Sequence, residues 1–320
     1  MYKIYILLFL KELMKVVEHL ERARDPLVSF EVIPPKRGGS LDKLVAIVTE
    51  LRRFSPSFID VTSHSSVVVA DKKKRKSPGS FGLCSLIQNQ FKIDAVLHTL
   101  CNGFTREETE DLLIDADFAG IRNVLAIGGD GEPIVEPPHG RTVNHYALDL
   151  VKQIVCMNNG NYLDDVKADK PTDFCIGVAA YPERYFGSKT EEQDLNCLKE
   201  KVKAGAGYAV TQMFFNNTHY FRLIERCRAA GLEIPIIPGI KIITNKGQVS
   251  AIPDKIKGVT FSREFMNDVH GARDNQVMEI GITHAYNQVR ELLDRRVPAV
   301  HFYVSGSPDP TAEVLKRLGL

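Results

Sequence analysis

The stretch Ala95–Asp130, "AVLHTLCNGFTREETEDLLIDADFAGIRNVLAIGGD", decides how the chain folds. An apolar run is followed by a polar turn, then by a longer amphipathic segment from Thr105 that stops at Gly120, and then by a second apolar run from Asn123. Such a β–α–β unit predicts two parallel strands joined by a right-handed crossover. The unit recurs along the chain. Strand-like runs begin at Leu27, Phe58, Ala95, Asn123, Phe174, Tyr208, Ile234 and Ala299, and helical segments from Ser40, Thr105, Glu191 and Thr218 lie between them. Several of these helices end in glycine, the residue that takes a left-handed stop at least cost. Eight such units close a (βα)8 barrel. An open doubly wound sheet is the alternative, but no G-x-G-x-x-G follows the first strand, and polar residues sit at the C-terminal end of nearly every strand, where barrel sites are built. The expected architecture is α/β: a (βα)8 TIM barrel over residues 25–320 as one catalytic domain, preceded by an N-terminal extension and short helix over 1–24.

Composition narrows the partners. With 41 basic and 40 acidic residues the formal charge is +1, so no global field draws the chain to nucleic acid or to an anionic membrane. A small molecule is the expected partner. The six cysteines contain no C-x-x-C pair and read as reduced, buried thiols of a cytoplasmic protein. The apolar run Ile4–Leu10 is too short to span a bilayer and has no signal cleavage site. Met14 opens a well-charged helix, so the first 13 residues read as an extension from an upstream start. The basic run Asp71–Lys76, after the second strand, reads as a solvated loop on the site-bearing rim, with closure over an anionic ligand as the alternative.

Round that rim the strand ends offer Glu31, Thr62 with His64, His98 with Thr99, Asp130, Tyr181, Gln212, Lys241 and Tyr303. The set lacks the H-x-H pattern of a barrel zinc site, so no metal is expected, and no G-x-S-x-G supports a serine nucleophile. Glu31 interrupts the apolar strand "VSFEVIPP". Desolvation there disfavours its charged form, which suits a general acid; a buried glutamate paired with a strand lysine or arginine is the other reading. Asp130 sits among the glycines of "IGGDGEP", where a phosphate cradle would be repelled by its charge.

Taken together, "SFEVIPPK", "DVTSH", "HTLCNGFTREETEDLL", "GIRNVLAIGGD", "VAAYPE", "DLNCLKEKVKAGAGYAVTQMFF" and "IPIIPGIKIITN" resemble the methylenetetrahydrofolate reductase family from about Leu27 to Asn245. The resemblance implies a barrel that binds FAD, takes hydride from NADH or NADPH, and reduces 5,10-methylenetetrahydrofolate to 5-methyltetrahydrofolate. It implies that Glu31 is the general acid, that Asp130 lies beside the flavin, and that Gln212 contacts the pterin. Lys241, a lone rim lysine that reads as an ion-pair partner with a Schiff base as the alternative, is counted with Gln212, Glu31 and Asp130 in the expected substrate-binding set. Flavin contacts fall on Thr62, His98, Ile127, Gly129, Asp130, Tyr146, Ala147, Tyr181, Tyr185, Asp194 and Lys201. Ring opening of the substrate forms an iminium cation; a carboxylate about 5 Å away at an effective dielectric of about 20 stabilises it by roughly 3 kcal/mol. The chain departs from the family pattern at Gly128, where arginine is frequent, at Cys197, where asparagine is familiar, and at Glu200, where a basic residue is common. A homo-oligomer is implied as well. A partner redox protein as electron donor, and a barrel that binds folate or flavin without turnover, are the competing readings.

Overall fold

The computed structural model describes residues 13–64, 66–69, 72–75, 79–129, 140–185, 187–188 and 190–320. In chain order its strands are β1 (Leu27–Val32), β2 (Phe58–Val61), β3 (Ser66–Val69), β4 (Lys72–Arg75), β5 (Asp94–Leu100), β6 (Asn123–Ile127), β7 (Cys175–Ala180), β8 (Tyr208–Thr211), β9 (Ile236–Ile237), β10 (Gly239–Ile240) and β11 (Ala299–Tyr303). The main sheet runs β10-β11-β1-β2-β5-β6-β7-β8-β9, with every pairing parallel. Its two outer members are halves of one strand parted by Pro238: β9 pairs with β8 and β10 with β11. A proline has no N–H for the ladder, so the strand breaks there. The sheet is therefore an eight-position α/β barrel, as the repeat of the unit predicts.

The helices between the strands form as their ends dictate. Arg106–Phe118 starts on a capping box, in which Glu108 N donates to Thr105 Oγ1 (3.1 Å) and Thr105 N donates to Glu108 Oε2 (2.9 Å). It stops at Gly120, where φ is +75°. Alternate strand residues then divide into two cores. Phe30, Ile59, Leu97, Val124, Ile176, Ala209, Ile236 and Phe302 face the helices. Phe58, Val96, Leu125, Cys175, Tyr208, Val210, Ile237 and Ala299 fill the barrel interior together with Val16 of the N-terminal helix Val16–Arg22. The Tyr208 ring needs the missing side chain of Gly177, since a Cβ there would lie 2.3 Å from its Cζ.

Two features differ from the sequence reading and a third, in the seventh unit, adds to it. The basic run after the second strand is part of an antiparallel hairpin, β3 with β4, rather than a loop, although Asp71 and Lys76 lie outside the described residues. Its strand partner is Ser66–Val69, whose β-branched residues favour extended backbone. The seventh unit carries three helices, Lys246–Lys255, Arg263–Gly271 and Asp274–Asp294, before the last strand. The cysteines are all free, but only Cys84, Cys101, Cys175 and Cys227 are buried; Cys156 and Cys197 lie on exposed helix faces. Among the described residues no helix is long and apolar enough to cross a membrane.

Candidate active site

Parallel register brings rim residues level with one another: Glu31 pairs with Asp60 on one side and with Tyr303 on the other. Strand alternation then aims Glu31, Asp60, His98, Gln212, Lys241 and Tyr303 along the same inward parity as the interior core. The centre of the mouth is a cluster on His98. Its Nε2 lies 3.2 Å from Asp60 Oδ2 and 3.8 Å from Glu31 Oε2. Asp60 is fully buried, and the Glu31 side chain keeps 16% of its exposure. Burial pushes the His98 proton affinity down, but the Asp60 hydrogen bond and the charges of Glu31 and Asp60 together leave it raised above the ordinary 6.5.

Lys241 closes the mouth from the seventh strand. Its Nζ donates to Tyr303 O (3.1 Å) and to Ser305 Oγ. Burial pulls its ammonium down to about 8, against the opposing pull of the Glu31 charge. Tyr303 donates through its hydroxyl to Thr211 O (2.5 Å), and Gly239 makes room for this ring, since a Cβ there would lie 2.6 Å from Tyr303 Cε2. Gln212, at the end of β8, accepts from Met213 N through Oε1 (2.9 Å).

A second group forms where β7 meets the helix Glu191–Lys203. The Tyr181 and Tyr185 rings lie 4.7 Å apart, Asp194 Oδ2 accepts from Tyr185 N (2.9 Å), and Lys201 Nζ donates to Ala179 O (3.0 Å). Burial lowers the Lys201 proton affinity, with the nearby Cys197 and Asp194 acting in the other direction. On the far side of the mouth, Thr62 lies under the rim with Oγ1 3.4 Å from His64 Nε2. Ile127 ends β6, and Gly129 follows it at φ +89°, its carbonyl accepting from Asn102 Nδ2 (3.1 Å). Tyr146 stands at the N-cap of the helix Ala147–Asn158 and is 74% exposed. Asp130 lies outside the described residues.

Two inward-facing residues are not singled out by the sequence. Asp60 belongs to the mouth, and His301 lies one inward layer beneath Glu31 and Tyr303, hydrogen-bonded through Nδ1 to Ser29 Oγ (2.9 Å). The signal for Asp60 was present, because "FIDV" carries a carboxylate inside an apolar strand as "SFEV" does.

The model of the family described as methylenetetrahydrofolate reductase matches residues 15–319 of the chain. The chain belongs to the methylenetetrahydrofolate reductase family. Within it, methylenetetrahydrofolate reductase 1 of Schizosaccharomyces pombe is 30% identical over 295 residues, which is 91% of this chain and 46% of that protein. The 5,10-methylenetetrahydrofolate reductase of Salmonella typhimurium is 30% identical over 296 residues, 92% of this chain and 90% of that one. The chain thus spans about half the length of its fission-yeast relative and nearly all of its bacterial relative. A solved structure of an uncharacterized Clostridium thermocellum protein, described as binding two copies of 5-methyl-5,6,7,8-tetrahydrofolic acid, shares the fold: the TM-score is 0.57 at 13% identity, covering 93% of this chain and 95% of that one.

Proposed function

We propose that this protein reduces 5,10-methylenetetrahydrofolate to 5-methyltetrahydrofolate, with FAD as hydride carrier and NADH or NADPH as hydride source. Membership of the reductase family supports the reaction class, and the observation that carries the assignment is Glu31 at the mouth of the barrel, 3.8 Å from the His98 imidazole. Ring opening of the substrate needs one proton delivered to a ring nitrogen. A mostly buried carboxylic acid bordering the open rim is built for that transfer.

The residues fit a flavin. Strand β6 is followed directly by Gly128 and Gly129, and a Cβ at Gly128 would meet nothing within 4 Å, so backbone is free to lie against a flat ring. Tyr181, Tyr185 and Lys201 would hold the cofactor from the β7 side, Thr62 and His98 from below, and Ile127, Gly129, Tyr146 and Ala147 from the β6 side. When bound, FAD supplies a carrier that accepts hydride from a nicotinamide and gives it to a folate. The chain does the rest. Gln212 and Lys241 orient the pterin, Glu31 gives the proton, and Asp130, assigned from sequence alone, offers a negative charge to the iminium.

The test is to load the protein with FAD and follow its visible absorbance anaerobically. NADH or NADPH should bleach it and methylenetetrahydrofolate should restore it. Glu31→Gln should keep the flavin and its bleaching, while folate reduction falls by about 10²–10⁴-fold. Absent flavin binding and bleaching would count against the reading; a Glu31→Gln protein as fast as the original would remove Glu31 as the acid. Flavin that folate reoxidises but neither nicotinamide reduces would point to a protein electron donor.

A further inference from the structure

Two carboxylates address one histidine nitrogen. Asp60 Oδ2 is 3.2 Å and Glu31 Oε2 3.8 Å from His98 Nε2. Asp60 is fully buried, and its other oxygen, Oδ1, has no hydrogen-bond partner among the described residues. A buried carboxylate is costly unless a cation neutralises it, and the group hydrogen-bonded to this one is the His98 ring.

The other groups around the pair do not supply that charge. His301 on β11 is held down to about 4 by burial, although Asp60 pulls the other way. Tyr208 on β8, Tyr303 on β11 and the Cys84 thiol on the helix Ser80–Leu86 keep their protons, first because they are buried and then because a carboxylate is near: Asp60 for Tyr208 and Cys84, Glu31 ahead of Asp60 for Tyr303. The carboxylate whose charge bears on the Lys241 ammonium is Glu31 rather than Asp60. Among the described residues, His98 is left as the cation.

We propose that Asp60 is a positioning residue for the acid step: it serves as the counterion of the His98 imidazolium, so that Glu31 is released from that role and takes up the proton it delivers. This rests on the reading of Glu31 as the acid. When Glu31 acts, its O–H bond breaks and an N–H bond forms on the substrate. The new carboxylate is then met by the same Nε2–H, which only has to turn from the Asp60 oxygen toward Glu31. Without the Asp60 charge, His98 and Glu31 compete for a single proton, and the pair as a whole binds protons less tightly.

The experiment uses Asp60→Asn, which keeps shape and an acceptor oxygen but removes the charge. In protein carrying ¹³C,¹⁵N-histidine, with His98 assigned by its loss in His98→Gln, the ring should be protonated on both nitrogens at pH 7. In Asp60→Asn it should lose its proton about one pH unit lower or more. The alkaline limb of folate reduction should move to lower pH by a similar amount. A neutral His98 in the unsubstituted protein, an unmoved titration in Asp60→Asn, or a rate loss equal at every pH would each overturn the proposal. Should Asp60→Asn fail to fold, the titration of the unsubstituted protein still decides. Absence of any folate turnover would sink the functional reading, whereas the charge on His98 is settled by the titration alone.

Discussion

His98 and His301 lie near the same buried carboxylate and are driven in opposite directions. His98 is hydrogen-bonded to Asp60 and its proton affinity rises, whereas His301 has Ser29 as its partner and burial dominates, bringing it to about 4. The sign of each effect on stability follows from linkage. A folded value above the unfolded one gives stability that is present at low pH and lost as pH rises through the folded value; this is His98. A folded value below the unfolded one means that the unfolded chain binds more protons between the two, so stability falls as pH drops from about 6.5 to about 4; this is His301. Over that window His301 should cost the fold roughly 3 kcal/mol, an order-of-magnitude figure. His301→Asn should therefore flatten the acid side of the stability profile, measured by urea unfolding at pH 4.5 and pH 7. Equal losses between those two pH values in both proteins would show that the acid sensitivity lies elsewhere.

At the scale of elements, what could be read from the sequence was what local chemistry alone decides. The glycine stops at Gly120, Gly205 and Gly231 all take positive φ, and the eight apolar runs are the eight strand positions. What could not be read depends on contacts between distant residues. "IPIIPGIK" reads as one strand, and only the neighbours β8 and β11 show that Pro238 divides it into two pairing halves. Asp60 looks like one polar residue among many until the register sets it beside Glu31 and His98. The same holds for the strap that ties the seventh unit to the β7 loop. Glu183 Oε1 accepts from Thr260 N (3.0 Å) and from Thr260 Oγ1, and lies 3.7 Å from His219 Nε2. Close by, Gly258 takes φ +105°, and a Cβ there would lie 2.4 Å from the Arg184 carbonyl oxygen. Both the conformation and the space exclude a side chain. Gly258→Ala should destabilise the protein by about 1–3 kcal/mol and speed amide exchange near Thr260. Unchanged stability and exchange would show that the strap tolerates displacement.

The whole molecule has a floor as well as a mouth, and the floor is made by the N-terminal helix. Val16 is fully buried among the interior residues Phe58, Val96, Leu125 and Tyr208. The strand starts on that face hold the helix by its own backbone: Met14 N donates to Asp94 Oδ1 (3.1 Å), Val16 N to Asn123 Oδ1 (2.8 Å), and Asn123 Nδ2 to Met14 O (3.1 Å). His19 Nε2 adds a contact of 2.8 Å to Asp94 Oδ2. The sequence marks "VVEHLER" only as a charged helix, because seven residues are too few for a buried stripe to stand out from its polar face. Since barrel chemistry belongs to the opposite rim, this end should govern stability rather than turnover. Val16→Asp places an unpaired carboxylate in the apolar floor, which should cost about 3 kcal/mol or more. The loss should appear as a lower urea midpoint. Flavin binding and folate turnover per folded molecule should stay at the level of the original protein. A Val16→Asp protein of normal stability would mean that the helix is not seated in the floor, and one destabilised as expected but with impaired turnover per folded molecule would mean that the two ends of the barrel are coupled.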